Sequence, residues 1–271
     1  MNLDDIAAIQ GLDSLNMLSE LRGLPEQLKA AWKSGITQSS DLQPVRNVVI
    51  AGMGGSAIGA DLAASYISPI CIAPIIVLRD YTLPVWVRGK DTLVICSSHS
   101  GNTEETLAVF DQAVKSNCQI AVISTGGEIS RKAKENGISI FPFTHHGQPR
   151  AAVGFSFGLL LAIFNKLKLI PDQTDSIEAA VNSMRSLMKK IDLESPISNN
   201  PAKRIAGQAV GRLVSVFAAE PLAPVARRWK TQINELSKSW AQFEFYRKQI
   251  TIRLQVSLCL RKFCQKCMLS S

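Results

Sequence analysis

Short apolar runs alternate with amphipathic ones along most of this chain. Five runs, at 47–51, 74–78, 92–96, 119–123 and 138–141, read as strands buried in a parallel sheet. Helical spacing fills most of the gaps: Ala57–Ile67 follows the first run, and Leu107, Val109, Phe110 and Val114 follow the third. This alternation predicts an α/β domain whose parallel sheet is covered on both faces. Ahead of it, Leu15, Leu18, Leu21, Leu24 and Leu28 fall at helical spacings, with Pro25 as a break. Behind it, Ala151–Leu169 is nearly all apolar and predicts a buried helix, and Asp172–Lys190 predicts an amphipathic helix linking two halves. A helix over Asn199–Val210, a strand over Leu213–Ala218 and a helix over Val225–Lys238 then begin to repeat the first pattern. The boundaries expected are a helical lead-in at 1–45, a first domain at 46–170, a linker helix at 171–197 and the start of a second domain at 198–245.

Two strand-to-helix loops carry the candidate chemistry. The first is Ser97-Ser98-His99-Ser100-Gly101-Asn102-Thr103. A first helical turn has free N–H groups and the positive end of the helix dipole, so it stabilises an anion, phosphate above all. Ser98, Ser100 and Thr103 add hydroxyl donors, and Gly101 lets the backbone come close to a ligand. A helix cap alone needs one such residue, not several. The second loop is Gly52-Met53-Gly54-Gly55-Ser56, where three glycines and a serine again suggest close backbone approach. Facing one another across the ends of parallel strands, two such loops would sit where open α/β sheets bind ligands.

Composition narrows the choice. With 271 residues, 46% hydrophobic and 19% charged, the chain has the make-up of a soluble globular protein. The longest apolar run, Ala151–Phe164, is too short to span a bilayer, so no membrane association is expected. Asp4 and Asp5 stand where a secretion signal would be basic, and Cys71, Cys96 and Cys118 lie in or beside apolar strands as reduced thiols; both point to the cytoplasm. The net charge of +8 suggests nucleic acid until it is located. Residues 246–271 hold six basic side chains and no acidic one, which leaves 24 basic against 22 acidic elsewhere. A nucleic-acid-binding face is therefore not indicated. His145 and His146 lack an accompanying Cys or carboxylate cluster and read as solvent-facing rather than as a metal pair; Cys264 and Cys267 form a C-x-x-C without a second pair.

The motifs together resemble the sugar isomerase (SIS) domain, and most closely the bifunctional phosphoglucose/phosphomannose isomerase family. The resemblance rests on Gly-Met-Gly-Gly-Ser-Ala-Ile-Gly-Ala-Asp at 52–61, Ser-His-Ser-Gly-Asn-Thr-Glu-Glu-Thr at 98–106 and Gln-Pro-Arg-Ala-Ala-Val-Gly at 148–154. Arg228-Trp229-Lys230 and Gln-Ile-Asn-Glu-Leu-Ser-Lys at 232–238 complete it, in the family's order. His99 replaces an aromatic residue often found between the two serines. The resemblance implies a three-layer α/β/α SIS domain with a parallel sheet, an incomplete second SIS domain, a homodimer, and no metal or cofactor. It implies glucose 6-phosphate or mannose 6-phosphate as substrate, interconverted with fructose 6-phosphate. It places phosphate on Ser98, Ser100 and Thr103, and the sugar beside Gly54, Gly55 and Ser56. Glu235 would be the base shuttling a proton between carbons 1 and 2, and Arg150 would stabilise the enediolate. On the residues alone, Glu235 reads as a solvated helix residue and Arg150 equally as a surface ion pair. A non-catalytic sugar-phosphate-binding protein is the alternative. Gly52–Ala57 also fits a G-x-G-x-x-A dinucleotide fingerprint, but Asp80 lies too far on and the Ser98–Thr103 loop is left unexplained.

After Phe245 the resemblance stops, where the family carries a segment with Asn-His-Asn. Back-translation with freely chosen synonymous codons lets one added T ahead of codon 246 read Leu-Pro-Glu-Ala-Asn-His-Asn-Thr-Leu-Ala-Gly. Residues 246–271 are thus expected to be out of frame. A His that assists sugar-ring opening in the family would fall at the place of Thr251. Impaired activity is the consequence expected.

Overall fold

The computed structural model describes residues 2–245, and these divide into two compact units, one up to Arg212 and one from Leu213. The readings of the 246–271 tail, including its Cys264–Cys267 pair, lie outside the described residues.

The first unit is built on β1 (Asn47–Ala51), β2 (Ile75–Leu78), β3 (Thr92–Ser97), β4 (Gln119–Ser124) and β5 (Ser139–Pro142). All pair in parallel, in the order β2-β1-β3-β4-β5. Within β1, β3 and β4 successive side chains enter two different cores. Val48, Ile50, Leu93, Ile95, Ala121 and Ile123 join one, and Val49, Ala51, Val94, Cys96, Ile120 and Val122 the other. Both faces of a pleated strand are buried here, which is why these segments read as unbroken apolar runs. The first core is closed by α3 (Leu24–Thr37), α4 (Gly54–Ile67), α7 (Val153–Lys166) and α8 (Thr174–Ile191), and the second by α5 (Glu104–Lys115) and α6 (Gly127–Glu135). Leu159 to Phe164 of α7 are each at most 1% exposed, as the apolar run predicts. The lead-in is three helices, α1 (Ile6–Leu12) and α2 (Met17–Arg22) preceding α3. The break expected at Pro25 falls at Gly23, between α2 and α3, and Pro25 sits in the first turn of α3, where its missing N–H costs nothing. Of the five spaced leucines Leu28 is buried, while Leu15 is 71% exposed.

A short helix, α9 (Pro201–Ala209), capped by Asn200, belongs to this unit. The compact division therefore falls at Arg212, downstream of residue 198 where the repeat of the pattern begins.

The second unit is β6 (Val214–Ala218), α10 (Ala223–Leu236) and β7 (Ala241–Phe245). The sequence pattern missed β7, which pairs in parallel with β6 from Val214↔Ala241 to Ala218↔Phe245. Arg227 lies over the rings of Phe243 and Phe245, at 5.3 and 5.8 Å from their centres. Leu213, Phe217, Trp229 and Trp240 are left exposed.

Candidate functional site

The sheet's order places β1 and β3 side by side, with β2 outside β1 and β4 outside β3. The chain leaving β1 and the chain leaving β3 thus turn to opposite faces, and a crevice opens between them at the carboxyl ends. Both candidate loops lie there.

The loop after β3 is clamped to the turn after β4. Ser98 N donates to Ile123 O at 3.0 Å, Ile129 N to Gly101 O at 2.9 Å, and Glu128 N to Asn102 Oδ1 at 2.9 Å. Thr125 Oγ1 donates to His99 O at 2.7 Å. Gly101 has φ of +71°, and a Cβ there would lie 1.9 Å from Gly126 O. This corrects the sequence reading: Gly101 makes room for a protein carbonyl, not for a ligand.

Within the loop the three hydroxyls differ. Ser98 is buried, its Oγ 2.9 Å from Thr103 Oγ1 and accepting from Gly101 N at 3.1 Å. Ser98 therefore shapes the loop. Ser100 is exposed; its Oγ accepts from Asn102 N at 3.2 Å, leaving its O–H free to donate outward. Thr103 is the N-cap of α5 but makes no side-chain cap bond, so the first-turn amides lack one usual partner. Glu104 and Glu105 already complement the dipole in that turn. Amides and hydroxyls, not net charge, make the loop receptive to an anion.

The loop after β1 is equally constrained. A Cβ on Gly52 would lie 2.9 Å from Ser97 O, and one on Gly55 2.7 Å from Pro149 O. Both glycines are needed for close packing of protein on protein, against β3 and against the 3₁₀ turn Pro149–Ala151. Gly54 alone of these has open space around its Cβ position, with φ of +48° as it starts α4. Gly55 and Ser56 line a narrow cleft of about 10 Å³, room for one water, with Ser97, His99, Phe143, Pro149, Ala152 and Ser156. A Cβ on Gly55 would also lie 3.3 Å from Arg150 N, so the 3₁₀ turn carries Arg150 to the same loop. At the next strand end Arg79 pairs with Asp61 and donates to Ala57 O at 3.1 Å, which anchors α4.

The first unit thus brings together Gly54, Gly55, Ser56, Ser98, Ser100, Thr103 and the turn bearing Arg150. Glu235 stands in the second unit, half-buried near the end of α10. It raises the pKa of Arg228, whose burial lowers it. Asn234 Oδ1 accepts from Ala241 N at 3.0 Å and fixes the start of β7.

Sequence reasoning missed a chain of three side chains behind the cleft. His99 Nε2 is 2.9 Å from His145 Nδ1, and His145 Nε2 is 2.8 Å from Glu20 Oε2. His145 is not solvent-facing as expected; its side chain is 7% exposed, edge-on to Phe155, while His146 is exposed. Burial lowers the pKa of His99, and His145 lowers it further. Among the described residues no cluster of three or more His, Cys, Asp or Glu is poised for a metal, and no helix is long and apolar enough to cross a membrane. Cys96 and Cys118 are buried free thiols and Cys71 a partly buried one.

Comparison with known proteins gives the same direction. Residues 198–249 match the family described as the bacterial phospho-glucose isomerase C-terminal SIS domain. A bifunctional phosphoglucose/phosphomannose isomerase from Caldicellulosiruptor bescii is 40% identical over 233 residues, covering 85% of this chain and 68% of that protein. One of the same name from Aquifex aeolicus is 36% identical over 207 residues, covering 76% and 60%. The chain thus spans about two thirds of the curated relatives it matches. In shape it resembles a proposed phosphosugar isomerase from Salmonella typhimurium, with a TM-score of 0.60 at 16% identity over 81% of this chain and 67% of that one, a likeness of fold alone.

Proposed function

We infer that this chain, which belongs to the bifunctional phosphoglucose/phosphomannose isomerase family, is an aldose–ketose isomerase interconverting glucose 6-phosphate or mannose 6-phosphate with fructose 6-phosphate. One observation carries the reading to its chemistry: the crevice at the β1 and β3 ends combines an uncapped helix start, the outward hydroxyl of Ser100 and the turn bearing Arg150. A dianionic phosphate is held by Ser100, Thr103 and the first-turn amides of α5, with Ser98 holding the loop in shape. Gly54, Gly55 and Ser56 face the sugar. Arg150 stabilises the enediolate charge, and Glu235 moves the proton between carbons 1 and 2. The first unit through residue 170 acts as the sugar-phosphate-binding SIS domain, and residues 198–245 begin the second. The homodimer implied by the resemblance and the cytoplasmic location expected from Asp4, Asp5 and the cysteines belong to this reading.

The catalytic reading is preferred to a binding protein without chemistry, because the relatives just described are named isomerases. Thermal-shift titration separates the remaining rival. Glucose 6-phosphate, mannose 6-phosphate or fructose 6-phosphate should raise the unfolding temperature, and NAD and NADP should not. Stabilisation by a dinucleotide alone would overturn the assignment.

A further inference from the structure

We propose that His99 takes up a proton from solvent when a dianionic phosphate binds beside it, and that Glu20, acting through His145, holds the ring ready for that proton. This rests on the sugar-phosphate reading of the crevice and adds a specificity-determining residue to it.

The loop assigned to the phosphate is short of positive charge. Residues 97–103 include no Lys or Arg, and the first turn of α5 adds the carboxylates of Glu104 and Glu105. Arg150, on the 3₁₀ turn, is assigned to the enediolate at the other end of the sugar. Hydroxyls and amides bind a dianion but do not neutralise it. His99 stands between Ser98 and Ser100, and within residues 97–103 it alone can become a cation near neutral pH.

The hydrogen bonds fix where the proton goes. Glu20 reaches His145 from α2, and its carboxylate only accepts. His145 therefore donates from Nε2 and accepts on Nδ1 from His99 Nε2. Both nitrogens of His145 are engaged. His99 Nδ1 has no hydrogen-bond partner among the described residues, so an added proton goes there. Nothing has to rearrange: His99 still donates to His145, and His145 to Glu20, so the new cation faces a carboxylate through one neutral ring. The chain is also braced at both ends. A Cβ on Gly147 would collide with Glu20 Oε1, and the His99 ring is edge-on to Phe143 at 5.7 Å. His99 is half-buried and meets solvent, whereas the His145 side chain is 7% exposed.

Burial lowers the pKa of His99, His145 after β5 lowers it further, and Glu20 on α2 raises it. The net direction is downward from 6.5, so the free chain holds His99 mostly neutral at pH 7. The other neighbouring elements carry Glu104 and Glu105 on α5, Glu128 on α6 and Arg150 on the 3₁₀ turn; Phe143 and Phe155 bring no charge. Consecutive Cα atoms are about 3.8 Å apart, so a phosphate on Ser100 lies within about 10 Å of the imidazole. Two negative charges at that range raise the proton affinity of the ring about tenfold. Binding then takes up about half a proton where the effect is largest. Above the pKa of the bound state His99 adds nothing; as pH falls through that value to the free one, its contribution to affinity grows.

Calorimetry of glucose 6-phosphate binding to the full chain, from pH 8 to 5.5 in two buffers of different ionisation enthalpy, counts the protons. The phosphate of the ligand titrates in this range too, so its part is removed by comparison with His99→Phe, which keeps a ring against Phe143. Wild type should take up about half a proton more than His99→Phe at the maximum, and the ratio of their affinities should rise by up to about tenfold toward low pH. His99→Gln, which can still donate to His145, should behave as His99→Phe does. Glu20→Gln, still able to accept from His145, should move the maximum to lower pH, because a charge that raises the His99 pKa is gone. A merely structural role for Glu20 would weaken binding alike at every pH and leave the maximum in place. The exposed His146→Gln should match wild type. Equal proton counts and a flat affinity ratio between wild type and both His99 variants, all of them binding, would overturn the inference and leave the phosphate site standing. A maximum unmoved in Glu20→Gln would overturn the part given to Glu20. Absence of binding by the wild-type chain would overturn the sugar-phosphate reading and the inference with it.

Discussion

Replacing Gly101 by Ala should damage the loop after β3 more than the same change at Gly54 damages the loop after β1, although both glycines have positive φ. Left-handed backbone costs Ala about 1–2 kcal/mol at either site. At Gly54 nothing lies within 4 Å of the new methyl group, so that cost stands alone. At Gly101 the Cβ would lie 1.9 Å from Gly126 O and 2.7 Å from Gly126 C. Backbone, not a flexible side-chain end, has to move. Overpacking of this kind adds about 1–3 kcal/mol, which brings the total to about 2–5 kcal/mol. The movement also pulls on the bonds from Ile129 N and Glu128 N that tie the loop to α6. Urea unfolding followed by circular dichroism is the assay. For a slope of about 2 kcal/mol per molar, the Gly101→Ala midpoint should fall by about 1–2.5 M. The folded variant should also bind sugar phosphate more weakly than Gly54→Ala. Equal midpoints for the two variants would refute the claim that the loop is clamped through Gly101.

Ser100→Ala should weaken glucose 6-phosphate binding by about 1–2 kcal/mol in calorimetry with the urea midpoint unchanged, since its hydroxyl faces outward. Ser98→Ala should lower the midpoint as well, because Thr103 Oγ1 and Gly101 N lose their shared partner. His99 is neutral more readily folded than unfolded, so the unfolded chain binds its proton first as pH falls. Its contribution to stability is full above the ordinary value of 6.5 and is lost as pH falls through the lowered folded value; urea midpoints measured from pH 7.5 to 5 should fall less steeply in His99→Phe than in wild type. Inserting one nucleotide ahead of codon 246, to restore Asn-His-Asn, should raise fructose 6-phosphate formation by about 10²-fold or more in a coupled assay; equal rates for both versions would sink the out-of-frame reading.

The sheet was legible because all of its central strands are buried on both faces, so burial leaves a continuous apolar run. The apolar helix α7 was legible for the same reason. Strand β7 was not read, although Ala241, Phe243 and Phe245 alternate with Gln242 and Glu244; it is short, and its pairing with β6 is parallel and remote in sequence. The two candidate loops were legible as glycine and hydroxyl clusters at helix starts, but the work of each glycine was not. A missing side chain makes the same mark in a sequence whether ligand or protein fills the space. Here Gly126 O fills it at Gly101 and Pro149 O at Gly55. The Glu20–His145–His99 chain was illegible because it joins residues 46 and 125 positions apart. Only the His between two serines gave a signal.

The central claim is that Glu235 carries a proton between two carbons of a bound sugar phosphate. Fructose 6-phosphate incubated with the full chain in D2O tests it most directly, with deuterium at carbons 1 and 2 followed by NMR, because exchange registers even slow proton abstraction. The account predicts deuterium at carbon 2 of the aldose product, and its disappearance in Glu235→Gln while calorimetry still shows binding. Binding of fructose 6-phosphate with no exchange in the wild-type chain, or exchange undiminished in Glu235→Gln, would contradict it.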